Sequence, residues 1–180
     1  MDEWGRTTYG DPCRECDFHW WLSTEEAVEL VSEVPHRYGV LLDGASGSER
    51  FPGLAWPAVA YVGHVGDNLR IWAERLIGAE TPREQQLAPY DADLLAVARS
   101  YDAMPVASSL WSLGHAVAMW REAARAAVPS RRKFSHPDRG HITVGEIVRS
   151  NAHDTHHHEW DLKRILGHLP PASIAPVTGR

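Results

Sequence analysis

The sequence predicts an all-α protein, a four-helix bundle with an irregular N-terminal segment. Three observations carry that prediction. Apolar residues recur at helical spacing in four long stretches, loops rich in glycine, proline and polar residues separate them, and no stretch alternates as a strand would. At 180 residues and 43% hydrophobic content the chain can bury one good-sized core. The expected organisation is an N-terminal segment over residues 1–22, a bundle over 23–169 and a tail over 170–180.

Residues 1–22 break any helical period with Gly5, Gly10 and Pro12, and close on a dense Cys/Trp/His cluster. A first helix is expected near Ser23–Thr24, with Thr24 as its cap and Glu25 and Glu26 at the positive end of its dipole. Ala27, Leu30, Val31 and Val34 give it an apolar stripe, and Pro35 interrupts it. Asp43 to Gly53 (DGASGSERFPG) is a loop by composition. A second helix runs from about Pro57, a favourable first-turn residue, to Ile77, with Val62, Val65, Leu69, Trp72 and Leu76 as its seam. Thr81 to Tyr90 reads as a turn. Residues 92–127 are helical with a break at Met104-Pro105, because proline disfavours the preceding helical turn. Residues 129–142 form a polar loop or short extended segment. The last helix begins near Thr143, where Glu146 completes a capping box, and runs to Leu166 before Pro170-Pro171 forbid continuation.

A net charge of −6 argues against nucleic acid as the main partner, since phosphate neutralisation requires a basic field. The short run Arg131-Arg132-Lys133 reads as a solvated loop. No stretch approaches the ~20 apolar residues that cross a bilayer. The opening MDEWGRTTYGDPC has neither a basic nor an apolar leader region, so a cytoplasmic protein is expected.

Eleven histidines and eight tryptophans are the unusual abundances. In NAHDTHHHEWDLKRIL, His153 and His157 lie four apart on one helical face and can share a metal ion. His156 is the competing partner of His153, and His158 is expected to point elsewhere. His64 sits mid-helix in YVGHVGDNLRIW, one position off the seam, with Gly63 and Gly66 leaving room for close approach. It is either a third ligand or a satisfied boundary residue, just as the late histidines are either ligands or polar surface. Asp67 and Asp154 either accept the second N–H of a ligand imidazole or are ordinary helix-surface carboxylates. The apolar stripe of the last helix (Val144, Ile147, Val148, Leu162, Ile165, Leu166) points well away from His153 and His157, which places that pair at an open, polar mouth of the bundle. His115 is expected in the core or a pocket wall, and Arg121, Arg149 and Arg164 are candidates for binding a substrate carboxylate.

The cluster CRECDFHWW presents Cys13, Cys16 and His19. The Cys-x2-Cys spacing allows a small zinc knuckle with His19 as third ligand, a reduced pair without metal, or a disulfide. The tryptophans are expected mostly as core mass, with Trp20-Trp21 folding the N-terminal segment over the bundle or into a dimer interface.

The segment Trp56 to Asp67 (WPAVAYVGHVGD), with a tryptophan eight residues before His64 and an aspartate three after it, resembles the second helix of the DinB-like superfamily. The segment Gly140 to Leu162, which carries H-D-x-x-H-H, resembles that superfamily's last helix. It includes mycothiol- and bacillithiol-dependent transferases and mycothiol-dependent maleylpyruvate isomerases. The resemblance covers roughly residues 24–168; residues 1–22 have no counterpart in it. It implies one divalent metal, zinc or alternatively nickel, held by His64, His153 and His157. The implied use is activation of a low-molecular-weight thiol such as mycothiol for attack on a small electrophile. Two other readings stay open: a non-catalytic, metal-binding or stress-related dimer, and a hydrolase using bound hydroxide.

Overall fold

The computed structural model describes residues 3–78, 86–130 and 132–169. Four helical columns form the bundle. The first is a broken pair, α2 (Thr24–Ser32) and α3 (Val34–Leu41); the others are α4 (Ala58–Gly78), α6 (Val106–Ala127) and α7 (Val144–Ile165). Their apolar stripes meet in a core that includes Val31, Val34, Val62, Leu69, Leu113, Trp120, Ile147 and Leu162. Trp120 is fully buried and donates from Nε1 to the Asn151 carbonyl oxygen at 2.8 Å, so the polar edge of this large ring is satisfied.

Local signals set the helix ends. Ser23, not Thr24, caps α2: its hydroxyl accepts from the Glu26 amide while Glu26 accepts from the Ser23 amide. Pro35 falls in the first turn of α3, where its missing N–H costs nothing, so the chain restarts a helix at Val34. Thr143 and Glu146 form the expected capping box at the start of α7. The break before α6 begins earlier than Pro105. A short α5 (Ala92–Ala98) ends at Arg99, Ser100 takes a left-handed conformation (φ 50°), and one 3-10 turn spans Tyr101–Ala103.

Two further features depart from the sequence expectation. Glu3–Tyr9 is a short helix, α1, of about two turns, with Gly5 inside it and Gly10 and Pro12 just beyond its end. Residues 133–143 form a two-stranded antiparallel hairpin, β1 (Lys133–His136) and β2 (Gly140–Thr143), with Phe134 and Ile142 paired and buried. Gln86 bridges Ser135 beside it. Among the described residues no helix is long and apolar enough to cross a membrane. The tail 170–180, residues 81–85 of the expected 81–90 turn and Arg131 lie outside the described residues.

The N-terminal segment packs as a second layer on the outer face of α7. Trp20 is buried there, stacked against Tyr9 and His153, whereas Trp21 remains 65% exposed.

Candidate metal centre

The polar side chains of α7 divide into two clusters because each residue turns about 100° around the helix axis. Asp154 and His158, one turn apart, face α4. His153 and His157, also one turn apart, face the N-terminal segment. The ligand atoms of His64, Asp154 and His158 lie within 4.8 Å of one another, and so do those of Cys13, Cys16, His153 and His157. The expected set of His64, His153 and His157 is thereby split: His64 stands with Asp154 and His158, while the other two histidines stand with the cysteines.

In the first cluster the Oδ1 of Asp154 faces two imidazole nitrogens, Nε2 of His64 at 3.9 Å and Nε2 of His158 at 3.6 Å. The two rings are nearly perpendicular with centroids 4.9 Å apart. The far edges of Asp154 and His158 are engaged. The Asn68 amide, one turn after His64 on α4, donates to Asp154 Oδ2 at 2.8 Å, and the Tyr90 hydroxyl donates to the Asn68 carbonyl oxygen at 2.9 Å. His158 Nδ1 lies 3.0 Å from Asp161 Oδ2, the arrangement in which a carboxylate fixes one imidazole tautomer and leaves Nε2 free to coordinate. Trp56 and Tyr61 pack against the rings of His64 and His158 respectively.

The electrostatics suit a cation. Burial would raise the Asp154 pKa, but His158, His64 and the Asn68 hydrogen bond outweigh it and hold the carboxyl well below its usual range. Burial would lower the His158 pKa, but the carboxylates of Asp154 and Asp161 outweigh it and raise it. The raised His158 pKa reports the negative charge that Asp154 and Asp161 place beside its ring. Two histidines and one carboxylate are a donor set used by first-row divalent metals, with coordination positions left for water or substrate.

A cleft of about 300 Å³ opens beside Asp154. Asn68, Trp72, Arg75, Tyr90 and Arg139 line it, and the N-terminal segment closes it with Trp4, Tyr9 and Trp20. Arg139 stacks its guanidinium over Trp4 at 3.7 Å, and Arg75 lies over Trp72 at 4.6 Å. The open, polar cleft therefore adjoins Asp154, and His153 also reaches its wall. His153, expected at an open mouth, is only 6% exposed because Tyr9, Phe18 and Trp20 pack on its ring. Burial first, then the neighbouring His157, keeps that ring neutral, with its pKa lowered to about 3.

The remaining candidates fall elsewhere. Asp67 is taken up by Arg70 and Arg99 at 2.5 and 2.6 Å and by the Tyr101 hydroxyl at 2.5 Å, so it orients no metal-site imidazole. Gly63 admits the Tyr101 ring rather than a ligand, since a Cβ there would meet that ring at 2.8 Å. His115 is exposed and stacks on Trp111, itself 70% exposed. His19 packs against Trp21 and takes no place in the cysteine cluster. His156 turns to the backbone, its Nε2 2.9 Å from the Cys16 carbonyl oxygen. Arg164 lies over Phe51 and Trp160 and 3.6 Å from Asp161.

The sequence reading missed His158 as a member of the cluster, and placed Asp154 behind a ligand imidazole rather than among the clustered side chains. The signal was present: Val144, Val148, Asn151, Thr155, His158, Leu162 and Ile165 follow one another at spacings of four and three, so position 158 lies on the core-facing stripe.

The sequence profile of the DinB superfamily matches residues 40–160, about two-thirds of the chain. The chain belongs to the DinB superfamily. A search of curated proteins gives no significant match. Among solved structures the chain is similar to YfiT from Bacillus subtilis, described as a probable metal-dependent hydrolase with an unusual four-helix bundle topology. The two share 19% identity over 81% of this chain and 86% of the other, with a TM-score of 0.69. At that identity the likeness shows a common fold. The matched span begins in α3, so the N-terminal segment of this DinB-superfamily chain lies outside it.

Proposed function

We propose that this protein is a metal-dependent enzyme in which His64, Asp154 and His158 hold one divalent ion and a small nucleophile is activated beside it. The observation that carries the reading is the convergence of both Nε2 atoms on Asp154 Oδ1, with the far edges of Asp154 and His158 already held by Asn68 and Asp161. Such preorganisation is what a metal site requires and what a chance group of surface histidines lacks. A bound ion would supply Lewis acidity, lowering the pKa of a thiol or water brought to it.

The chain's own residues favour a small anionic reactant. Arg75 and Arg139 put positive charge on the wall of a cleft that Asp154 borders, and Trp72, Tyr90 and Trp20 give it apolar faces. A purely metal-storing bundle needs no such cleft. The preferred reaction is therefore transfer of, or isomerisation by, a low-molecular-weight thiol of the mycothiol type on a small electrophile bearing a carboxylate. Hydrolysis by activated water is the second reading, and the fold shared with YfiT favours it. Zinc is the preferred ion, nickel the alternative.

The test is to supply zinc-loaded protein with mycothiol and a carboxylated electrophile, and separately with small amide and ester substrates without thiol. Metal-dependent thiol conjugation or isomerisation that disappears in Asp154→Asn and His64→Ala is the expected result. Thiol-independent turnover with the same mutational pattern establishes the hydrolase. Undiminished metal binding and turnover in both variants would overturn the site.

A further inference from the structure

We infer that this protein carries a second, closed metal site, a structural zinc clamp formed by Cys13, Cys16, His153 and His157, which fastens the N-terminal segment to the outer face of α7. This inference is independent of the function proposed above, since it uses none of the same donors.

The geometry is that of a four-ligand site. The two sulfurs and two imidazole nitrogens lie within 4.8 Å of one another, and a zinc tetrahedron with Zn–S near 2.3 Å and Zn–N near 2.0 Å has edges of about 3.3–3.8 Å. Contraction by about 1 Å around an ion is all that closure demands. The donors come from two places, a Cys-x2-Cys loop and a helical His-x3-His pair, which is the usual division in Cys2His2 sites.

The loop is already shaped to present both sulfurs. Cys13 receives the Asp17 amide on its carbonyl at 3.0 Å and donates its own amide to Phe18 O at 2.8 Å. Asp17, directly after the second cysteine, takes φ 60°, so the chain reverses there. The two cysteines are free and both are buried, with no disulfide between them. His156 Nε2, close to the Cys16 carbonyl, pins the same loop from the helix side.

The histidines supply the second observation. His153 Nε2 and His157 Nδ1 are buried and have no hydrogen-bond partner among the described residues. A buried, unpartnered imidazole nitrogen is costly unless something binds it. His157 Nε2 lies 3.4 Å from Glu15 Oε2, so a carboxylate stands ready to orient the ring with Nδ1 turned inward. Four protein donors would fill a tetrahedral zinc, and Tyr9, Phe18 and Trp20 pack on the His153 ring, which marks the role as structural.

The consequence reaches the cleft. His153 and Asp154 are adjacent on α7, so the clamp fastens Trp4, Tyr9 and Trp20 immediately beside the first cluster. Holding the N-terminal segment down is what gives that cleft its second wall.

Cobalt(II) titration of the reduced, metal-free full chain tests the clamp by a readout that a site of nitrogen and oxygen donors cannot give. A thiolate-to-cobalt charge-transfer band in the near ultraviolet is expected in the wild type and in His64→Ala and His19→Ala. The same band is expected to weaken in Cys16→Ser, and both Cys16→Ser and His157→Ala are expected to need more cobalt to reach it. Should those two variants fail to fold, the wild type alone decides: with zinc bound, both thiols resist alkylation, and a chelator releases them together. Absence of the band, unchanged intensity and cobalt affinity in folded Cys16→Ser, its loss in His64→Ala, or alkylation at equal rates with and without zinc would each overturn the inference.

Discussion

The Nε2 of His158 lies 3.6 Å from Oδ1 of Asp154, one turn earlier on α7, and this pair faces α4 while its sequence neighbours His153 and His157 face the N-terminal segment. Two adjacent i,i+4 pairs on one helix thus serve two different environments. The division makes their functions separable by mutation.

Asp161 is the first test of that separation. Its carboxylate holds His158 Nδ1 at 3.0 Å, stands farther, at 4.0 Å, from His157 Nε2, and lies outside both groups of clustered donors. Asp161→Asn keeps the shape and removes the charge, so metal affinity at the His64/Asp154/His158 cluster should fall by about 10–100-fold. Competition against a chromophoric chelator measures it. The thiol-protected ion should be unaffected, and loss of both ions together would contradict the division.

Gly5 reports on how the N-terminal segment is seated. A Cβ at this position would overlap the indole ring of Trp20, which is 1% exposed and cannot give way. Gly5→Ala should lift α1 from Trp20 and destabilise the segment by about 1–3 kcal/mol, the usual cost of overpacking. Tryptophan fluorescence should shift to the red, and limited proteolysis should cut first within the N-terminal segment. A variant as resistant as the wild type would show that α1 docks by other means.

The four bundle columns were legible in the sequence, α1 was not, and the site was legible only in part, for physical reasons. Thr143 and Glu146 announced the start of α7 because a capping box is local chemistry, and Pro57 marked the start of α4 for the same reason. The hairpin escaped because four-residue strands carrying one buried side chain each, Phe134 and Ile142, make no alternation long enough to read. His64 was found as the polar residue off an otherwise apolar seam. His153 and His157 were correctly read as pointing away from the bundle core, but what lies on that side is the N-terminal segment rather than solvent. That contact is long-range, Cys16 to His156 for example, and no local periodicity encodes it. His158 was hidden by the opposite error: the stripe through Asn151 and Thr155 is polar in its middle, so its continuity from Val148 to Leu162 is visible only if spacing is followed through residues that are not apolar.

Arg75 separates binding from chemistry. It lines the cleft beside Asn68 and Tyr90 but is not within the group of metal donors. For an anionic substrate, Arg75→Met should raise KM about tenfold or more and leave kcat nearly unchanged, the pattern of an interaction made equally in ground and transition states. Steady-state kinetics on a carboxylated substrate and its neutral amide provide the check. An equal effect on both substrates would remove Arg75 from carboxylate recognition.

Tyr38 predicts how the fold responds to alkali. Its hydroxyl donates to the Thr155 carbonyl at 2.7 Å, tying α3 to the middle of α7 in a fully buried place. Burial first, and then the negative charges of Asp154 and Glu159, push its pKa well above the ordinary value of 10.0. The folded state therefore keeps a proton that the unfolded chain releases near pH 10. Stability from this group is whole below that pH and declines as pH rises above it, by up to about 1.4 kcal/mol per pH unit until the folded-state pKa is reached. Tyr38→Phe should cost about 1 kcal/mol at neutral pH, for one buried hydrogen bond, and should lose less stability than the wild type between pH 10 and pH 11. Urea unfolding midpoints at pH 7, 10 and 11 decide it. Parallel declines in the two proteins would place the alkaline sensitivity on other tyrosines, of which Tyr101, bonded to Asp67, is the next candidate because burial and that carboxylate also raise its pKa.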